Sequence, residues 1–478
     1  MREKTFGNLT ITYGLGYLFV RAVSFLLLPL YTNLLSPTDT GFIFLFLILL
    51  AFLNTFYNHG MDSALLKFHQ KGSSREIITT SLCYSFIFGI FISCLILIIQ
   101  KPIIDLFNQA TLGPNLIYYL VIILLFDMVV SRIKIIIRLL EKPYYYLFIC
   151  LFNVFSSLIL NIYFIKILKM GVEGALISLV VVSSIQFILV LPIIIKFFNI
   201  SFFNKKILNQ MLSFALPFLP ASIFFIIIEM SDRWMIQWLR NMQEVGLYGS
   251  GYKVGSLILM MVLAFNLNWQ PFYLKNKTQP PILKFQNIGN LFIAILLIIT
   301  WIISFLGPFV LSFNWSENSW FSIIGKDFWQ GLIVVPAVCC AYIFYGIFII
   351  QMPSIYLKNK QNWIPVFWGI GALSNILLNY FLIQKFGFFG ASLATLLTYI
   401  LMANLIIYKN RIWMPIKINY LHFVPCLLLV FITAQYNLYN WFVSFSLNHN
   451  LIFILLNFIC FLLNVANICH MYKKYNDQ

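Results

Sequence analysis

Charge is what this sequence has least of. Only 9% of its 478 residues are Asp, Glu, Lys or Arg, against 61% hydrophobic residues, whereas soluble chains carry about 25% charged residues. That scarcity excludes a soluble globular domain. With a mean hydropathy of +0.91, the chain reads as an all-α polytopic membrane protein. Acidic residues are scarcer than basic ones, 14 against 31, which leaves a net charge of +17. In a soluble protein such a balance would suggest nucleic acid. Here the basic residues follow the membrane sidedness instead, and nucleic acid is not an expected partner.

Other absences narrow the chemistry. There is no Walker motif, hence no built-in ATP engine, and no HExxH, nucleophile elbow or metal cluster. The five histidines (His59, His69, His422, His449, His470) are scattered. The eight cysteines lie in or at the end of apolar runs with neither zinc spacing nor a disulfide framework, so apolar packing accounts for them. No cofactor or metal is expected. No cleavable signal peptide is visible either, because the first apolar run continues past any small-residue cleavage site. Long polar loops are missing too. The longest outer segment, about 314–328 with Asn314-Trp315-Ser316-Glu317-Asn318-Ser319-Trp320, is too small for a catalytic domain, and its aromatics read as an interfacial belt.

What fills the chain is a series of apolar runs of about 20 residues, the length that spans a bilayer. They fall near 9–34, 41–57, 77–99, 116–139, 144–168 and 172–196, then 212–238, 246–271, 288–313, 329–352, 363–384 and 388–408. Two more, near 421–439 and 450–470, bring the total to fourteen. Alternate loops and both termini hold twenty Lys and Arg, the opposite loops six, and the spans five. The positive-inside rule then puts both termini in the cytoplasm.

The spans repeat themselves. Lys142-Pro143-Tyr144 through Ser156-Ser157-Leu158-Ile159-Leu160-Asn161 returns 218 residues later as Lys360-Gln361-Asn362 through Ser374-Asn375-Ile376-Leu377-Leu378-Asn379. Each copy then reaches a glycine turn, Gly171-Val172-Glu173-Gly174-Ala175 and Gly387-Phe388-Phe389-Gly390-Ala391. Six spans per copy is even, so both copies cross in the same direction, a parallel repeat. The expected domains are a six-helix bundle over 9–196, a second over 212–408, and two additional helices over 421–470. The polar, basic stretch 197–211, with Asn204-Lys205-Lys206, reads as the linker. A membrane chain built from two related bundles most often moves something across the membrane.

The order and spacing of several motifs carry a resemblance. The first two spans hold Phe25-Leu26-Leu27-Leu28-Pro29-Leu30-Tyr31-Thr32-Asn33-Leu34-Leu35-Ser36-Pro37, then Gly41 and Gly60-Met61-Asp62-Ser63-Ala64. The second bundle opens with Leu216-Pro217-Phe218-Leu219-Pro220-Ala221, Ser231-Asp232-Arg233 and Val245-Gly246-Leu247-Tyr248, and later reads Asn379-Tyr380-Phe381-Leu382-Ile383 before its glycine turn. Over roughly residues 9–410 the chain resembles the polysaccharide repeat-unit (Wzx-like) flippases of the multidrug/oligosaccharidyl-lipid/polysaccharide (MOP) exporter superfamily. The resemblance implies two six-helix lobes in a V, a central cavity, alternating access, and export of undecaprenyl-pyrophosphate-linked sugars for surface polysaccharides. One departure is Gln384-Lys385, where relatives commonly carry a proline, which touches the geometry of that helix end.

A charge within hydrocarbon costs a few kcal/mol on insertion scales, so each needs a reason. Arg21 lies mid-span and shares a face with Tyr13, Tyr17 and Ser24. It is either a cavity cation or the partner of a structural carboxylate. In the fourth span Asp127, Ser131, Lys134 and Arg138 stack on one face, a cavity lining or a salt-bridged helix face, while Arg132 points elsewhere and packs or snorkels. Asn54, Asn58 and Asp62 form an i, i+4, i+8 ladder in the second span, polar lining or interhelical glue. Glu229 and Arg233 can pair, with Asp232 adjacent, as a structural ion pair or a gate. In the eighth span Gly249, Tyr252, Lys253 and Ser256 share a face, and Lys253 is a second cation candidate. Prolines 29, 217 and 220 remove backbone donors and bend their spans.

The expected activity is therefore a non-enzymatic flippase. Arg21, Lys134, Arg138 and Lys253 would neutralise the pyrophosphate of the lipid-linked oligosaccharide, and Asp127, Glu229, Asp232 and Arg233 would couple or gate. Expected partners are that polyprenyl-pyrophosphate lipid, membrane lipids, and polymerase and glycosyltransferases of the same pathway. The alternatives are a peptidoglycan lipid-precursor flippase or a cation-coupled multidrug exporter of the same superfamily. A membrane-embedded glycosyltransferase or polymerase would need an outer loop that is absent here, and a purely structural assembly protein is the remaining class.

Overall fold

A computed structural model describes residues 23, 25–69, 74–107, 115–275, 280–312, 322–444 and 451–476. All secondary-structure elements among them are helical, as the composition requires. Ten helices are long and apolar enough to cross a membrane, and three shorter apolar helices add to them, among the described residues. The aromatic segment 314–320 lies outside the described residues. The chain divides into two compact units, Met1–Ile223 and Phe224–Gln478.

In unit 1, α1 (Phe25–Leu34) leads into α2 (Pro37–Asn58). The start of α2 is written in the sequence: Ser36 Oγ accepts from the Asp39 amide at 3.1 Å, Pro37 takes the first helical position and Asp39 the first turn. Then come α3 (Met61–Phe68), α4 (Ser74–Ile98), α5 (Gln100–Asp105), α6 (Asn115–Leu139) and α7 (Pro143–Asn161). A π-helical stretch, Ile162–Ile167, extends α7 before α8 (Gly171–Phe197). The polar stretch expected to be a linker forms a 3₁₀ turn, Ile200–Phe202, and α9 (Lys205–Ala215), capped by the Asn204 side chain. Helix α9 packs on α3 and α4. A 3₁₀ turn at Leu216–Phe218 then joins it to α10 (Leu219–Leu239). Pro217 and Pro220 sit at that turn, where missing amide donors favour tightening.

In unit 2 the expected eighth span is two helices, α11 (Met242–Gly255) and α12 (Leu257–Lys275), parted at Ser256. There follow α13 (Ile282–Ser312), a 3₁₀ run Lys326–Val334, α14 (Val335–Ile350) and α15 (Met352–Leu357). The unit closes with α16 (Trp363–Phe386), α17 (Phe388–Trp413), α18 (Tyr420–Ser444) and α19 (Leu451–Asn476). Helix α14 is the core, buried at every residue but Phe344. Helices α18 and α19 pack on α13.

The duplication read in the sequence recurs in the packing. The α6–α8 and α7–α8 pairs of unit 1 have counterparts in α14–α17 and α16–α17 of unit 2, and α4–α6 has one in α13–α14. A hydrogen bond repeats as well. Tyr31 in α1 donates to Asn161 at 2.9 Å, and Ser231 in α10 donates to Asn375 at 3.3 Å, each tying the first helix of a copy to the fifth. The two glycine turns share a cause: Gly171 and Gly387 have φ of 58° and 60°, a region side chains rarely enter.

Candidate functional site

Unit 1 gathers its polar residues around a broken helix. After Asn58 the backbone turns left-handed at His59 (φ 31°) and Gly60 (φ 79°) before α3 begins. A Cβ on Gly60 would strike the Ala215 carbonyl, so the break needs glycine there. Asp62 lies in the first turn of α3, where exposed amides favour a carboxylate. Asn54, Asn58, Asp62 and Thr55 line a cleft of about 410 Å³, joined by Ser222. Asn58 Nδ2 donates to Asn54 Oδ1 at 2.6 Å. The asparagine ladder and Asp62 are thus brought together on one open face.

Arg132, which the helical wheel sets apart from the α6 stripe, completes this arrangement. It is fully buried and ion-paired with Asp62, whose side chain keeps 35% exposure. Its other nitrogens donate to Ser85 Oγ and to the carbonyl of Asn58, each at 3.2 Å. That carbonyl ends α2, one of the acceptors a helix leaves unbonded at its C-terminus. Ser131 Oγ donates to the other Asp62 oxygen at 3.2 Å.

The remaining α6 candidates face α8. Tyr119 donates to Glu173 at 3.2 Å, Ser183 to Asp127 at 2.8 Å, and Lys134 to Gln186 at 2.9 Å. Residue numbers rise together along both helices, so α6 and α8 run parallel, as spans two apart must. Arg138 is exposed at the end of α6. Tyr13, Tyr17 and Arg21 lie outside the described residues.

In unit 2, Glu229 is 6% exposed and sits among phenols. Tyr399 donates to one carboxylate oxygen, and Tyr342 (2.8 Å) and Tyr252 (3.4 Å) to the other. One turn on, Asp232 accepts from Tyr248 and from the Arg233 guanidinium, the latter at 2.8 Å. The expected Glu229–Arg233 pairing takes a different form. Arg233 reaches only the Glu229 backbone carbonyl, at 2.8 Å, and places its charge over the Tyr252 ring at 4.1 Å. Lys253 is half-buried on α11, within electrostatic range of Arg233. The guanidinium is therefore ion-paired with Asp232 alone, which also accepts from the Arg233 amide at 2.8 Å, while tyrosine hydroxyls supply the bonds to the Glu229 carboxyl. Tyr342 and Tyr399 carry no local mark of this role in the sequence, because only the fold brings them to Glu229. The one available signal was tyrosine far from a span end.

These features define a multi-pass helical membrane protein with a duplicated core and ionisable groups held inside its spans. The family model for polysaccharide biosynthesis proteins matches residues 7–272, and the chain belongs to that family. Among solved structures, the lipid II flippase MurJ in an inward closed conformation is similar at 17% identity and a TM-score of 0.68, over 95% of this chain and 98% of that one. An inward-facing multidrug resistance MATE family transporter of the MOP superfamily is similar at 14% identity and a TM-score of 0.64, over 83% and 93%. The Vibrio cholerae MATE transporter VcmN in its bent form gives 11% and 0.53, over 92% and 98%. The chain therefore shares its fold with these transporters. No curated protein sequence matches the chain.

Proposed function

We infer that the protein is a flippase that carries a polyprenyl-pyrophosphate-linked oligosaccharide from the inner to the outer leaflet by alternating access, for surface polysaccharide synthesis. The observation that carries this reading is the polar cleft of Asn54, Thr55, Asn58 and Asp62 set among apolar helices in a chain of the polysaccharide biosynthesis family. Amides, a hydroxyl and a carboxylate are the groups that exchange hydrogen bonds with sugar hydroxyls. Lys134, Lys253 and Arg138, with Arg21, are the cations offered to the pyrophosphate, replacing its hydration as it crosses. The Glu229–Asp232–Arg233 cluster holds one carboxyl more than it has paired cations. It is the place where a proton or metal cation would be taken up to couple transport to a gradient.

Deleting the gene should trap lipid-linked oligosaccharide in the cytoplasmic leaflet and strip polysaccharide from the surface. Normal surface polysaccharide without accumulation would refute the reading. The fold shared with a lipid II flippase favours one second reading, a peptidoglycan-precursor carrier. In that case deletion would block growth and accumulate the cell-wall precursor instead.

A further inference from the structure

Unit 1 carries a second, larger recess, of about 820 Å³, that none of the candidate residues lines. Its cations are Lys67 at the end of α3 and Lys205 and Lys206 at the start of α9. The sequence builds it through the amphipathic pattern of α9. Lys205, Lys206, Asn209, Gln210 and Ser213 recur at helical spacing and line the recess, while Met211 and Ala215 are buried. Packing of α9 on α3 brings Lys67 Nζ to 3.7 Å from the centre of the Phe214 ring, which fixes its charge at the recess wall.

No carboxylate among the described residues pairs with these lysines; the ion pairs there are Arg132–Asp62 and Arg233–Asp232. The α9 N-terminus is already occupied, since Asn204 Oδ1 accepts from the Lys206 and Ile207 amides. Attraction for an anion therefore rests on the side chains. Apolar surface lies alongside, with Leu66, Ile200, Leu216 and Phe218 exposed. A basic, amphipathic helix flanked by exposed apolar residues is the pattern of a segment lying at a membrane surface.

We propose that this recess binds the phosphate of an anionic phospholipid headgroup. Lys67, Lys205 and Lys206 supply the charge and Asn209, Gln210 and Ser213 the neutral donors, while acyl chains lie on the neighbouring apolar side chains. Binding there would hold α9 to the surface of the leaflet. The inference uses unit 1 alone and stands or falls separately from the identity of the transported molecule.

Native mass spectrometry of the full-length, delipidated protein, titrated with phosphatidylglycerol or phosphatidylcholine, tests it. A lysine near an anionic headgroup is worth about fivefold in affinity, so the three together should favour phosphatidylglycerol by more than about tenfold. Lys67→Gln/Lys205→Gln/Lys206→Gln should erase the preference, and the corresponding triple arginine variant should keep it. If the triple glutamine variant does not fold, Lys67→Gln alone should cost about fivefold. An equal response to both lipids, or a preference surviving the glutamine changes, overturns the proposal. So does displacement of phosphatidylglycerol by equimolar undecaprenyl pyrophosphate, which would make the recess a site for the carried lipid.

Discussion

Removing Arg132 and removing Asp62 break the same ion pair but strand different charges. Arg132 is fully buried, whereas Asp62 keeps 35% exposure toward its cleft. An uncompensated buried charge costs about 3–5 kcal/mol. Asp62→Ala should approach that figure, because the arginine left behind has no water to turn to. Arg132→Met should cost roughly half as much, since Asp62 can be hydrated through the cleft. Thermal melting of the two variants in one detergent checks the order, and equal melting points would contradict it. Glu229 poses the opposite case, a carboxylate supported by three phenols. Glu229→Gln keeps the shape and one acceptor, so the fold should survive with a loss of about 1–2 kcal/mol. If Glu229 takes up the coupling ion, translocation in proteoliposomes should lose its response to an imposed ion gradient. A retained response would place coupling elsewhere.

At the scale of elements, the turn between α16 and α17 shows how a helix end missing the customary proline is finished. Arg240 donates to the carbonyls of Ile383 and Gln384 at 3.3 and 3.1 Å, and Glu244 accepts from the Phe388 amide at 3.0 Å. A cation at one helix C-terminus and a carboxylate at the next N-terminus both complement the helix dipoles. Between them Gly387 holds φ 60° and ψ −147°, a conformation open essentially to glycine alone. Gly387→Ala should therefore cost about 1–3 kcal/mol and lower the melting temperature, whereas an alanine at exposed Tyr408 should not; an unchanged midpoint for Gly387→Ala would remove the strain argument. The glycine was legible in the sequence because both copies of the repeat stop there. Arg240 and Glu244 were not, because nothing local to them reports a helix end more than 140 residues away. The same holds for Gln351 and Asn410. Both are polar residues near span ends that look like surface, yet they are buried and bonded to each other at 2.7 Å. Periodicity identifies which face of a helix is apolar, but a polar residue on that face is readable only once its partner helix is in place.

For the whole molecule the sequence makes a commitment that helix packing alone does not test: which loops face which side. Twenty Lys and Arg on one set of loops against six on the other would put both termini in the cytoplasm if the spans number fourteen. The helical fold and the duplication were readable because membrane crossing imposes length and apolarity on every span, and a duplicated gene repeats its punctuation. Sidedness depends on the parity of the count, so one missed or extra span would reverse every loop beyond it. That makes it testable at many positions at once. All eight cysteines are free thiols, so they can be replaced and single reporters introduced without breaking a crosslink. In such a background, cysteines at Lys101, Lys169, Arg240 and Lys385 should react with a membrane-impermeant maleimide in intact cells. Those at Lys142, Lys205, Lys284, Lys358 and Lys409 should react only after permeabilisation. A single crossover point along the chain, with expected labelling before it and inverted labelling after it, would locate a miscounted span. Labelling inverted throughout would mean that the basic loops face outward and the charge asymmetry has another cause.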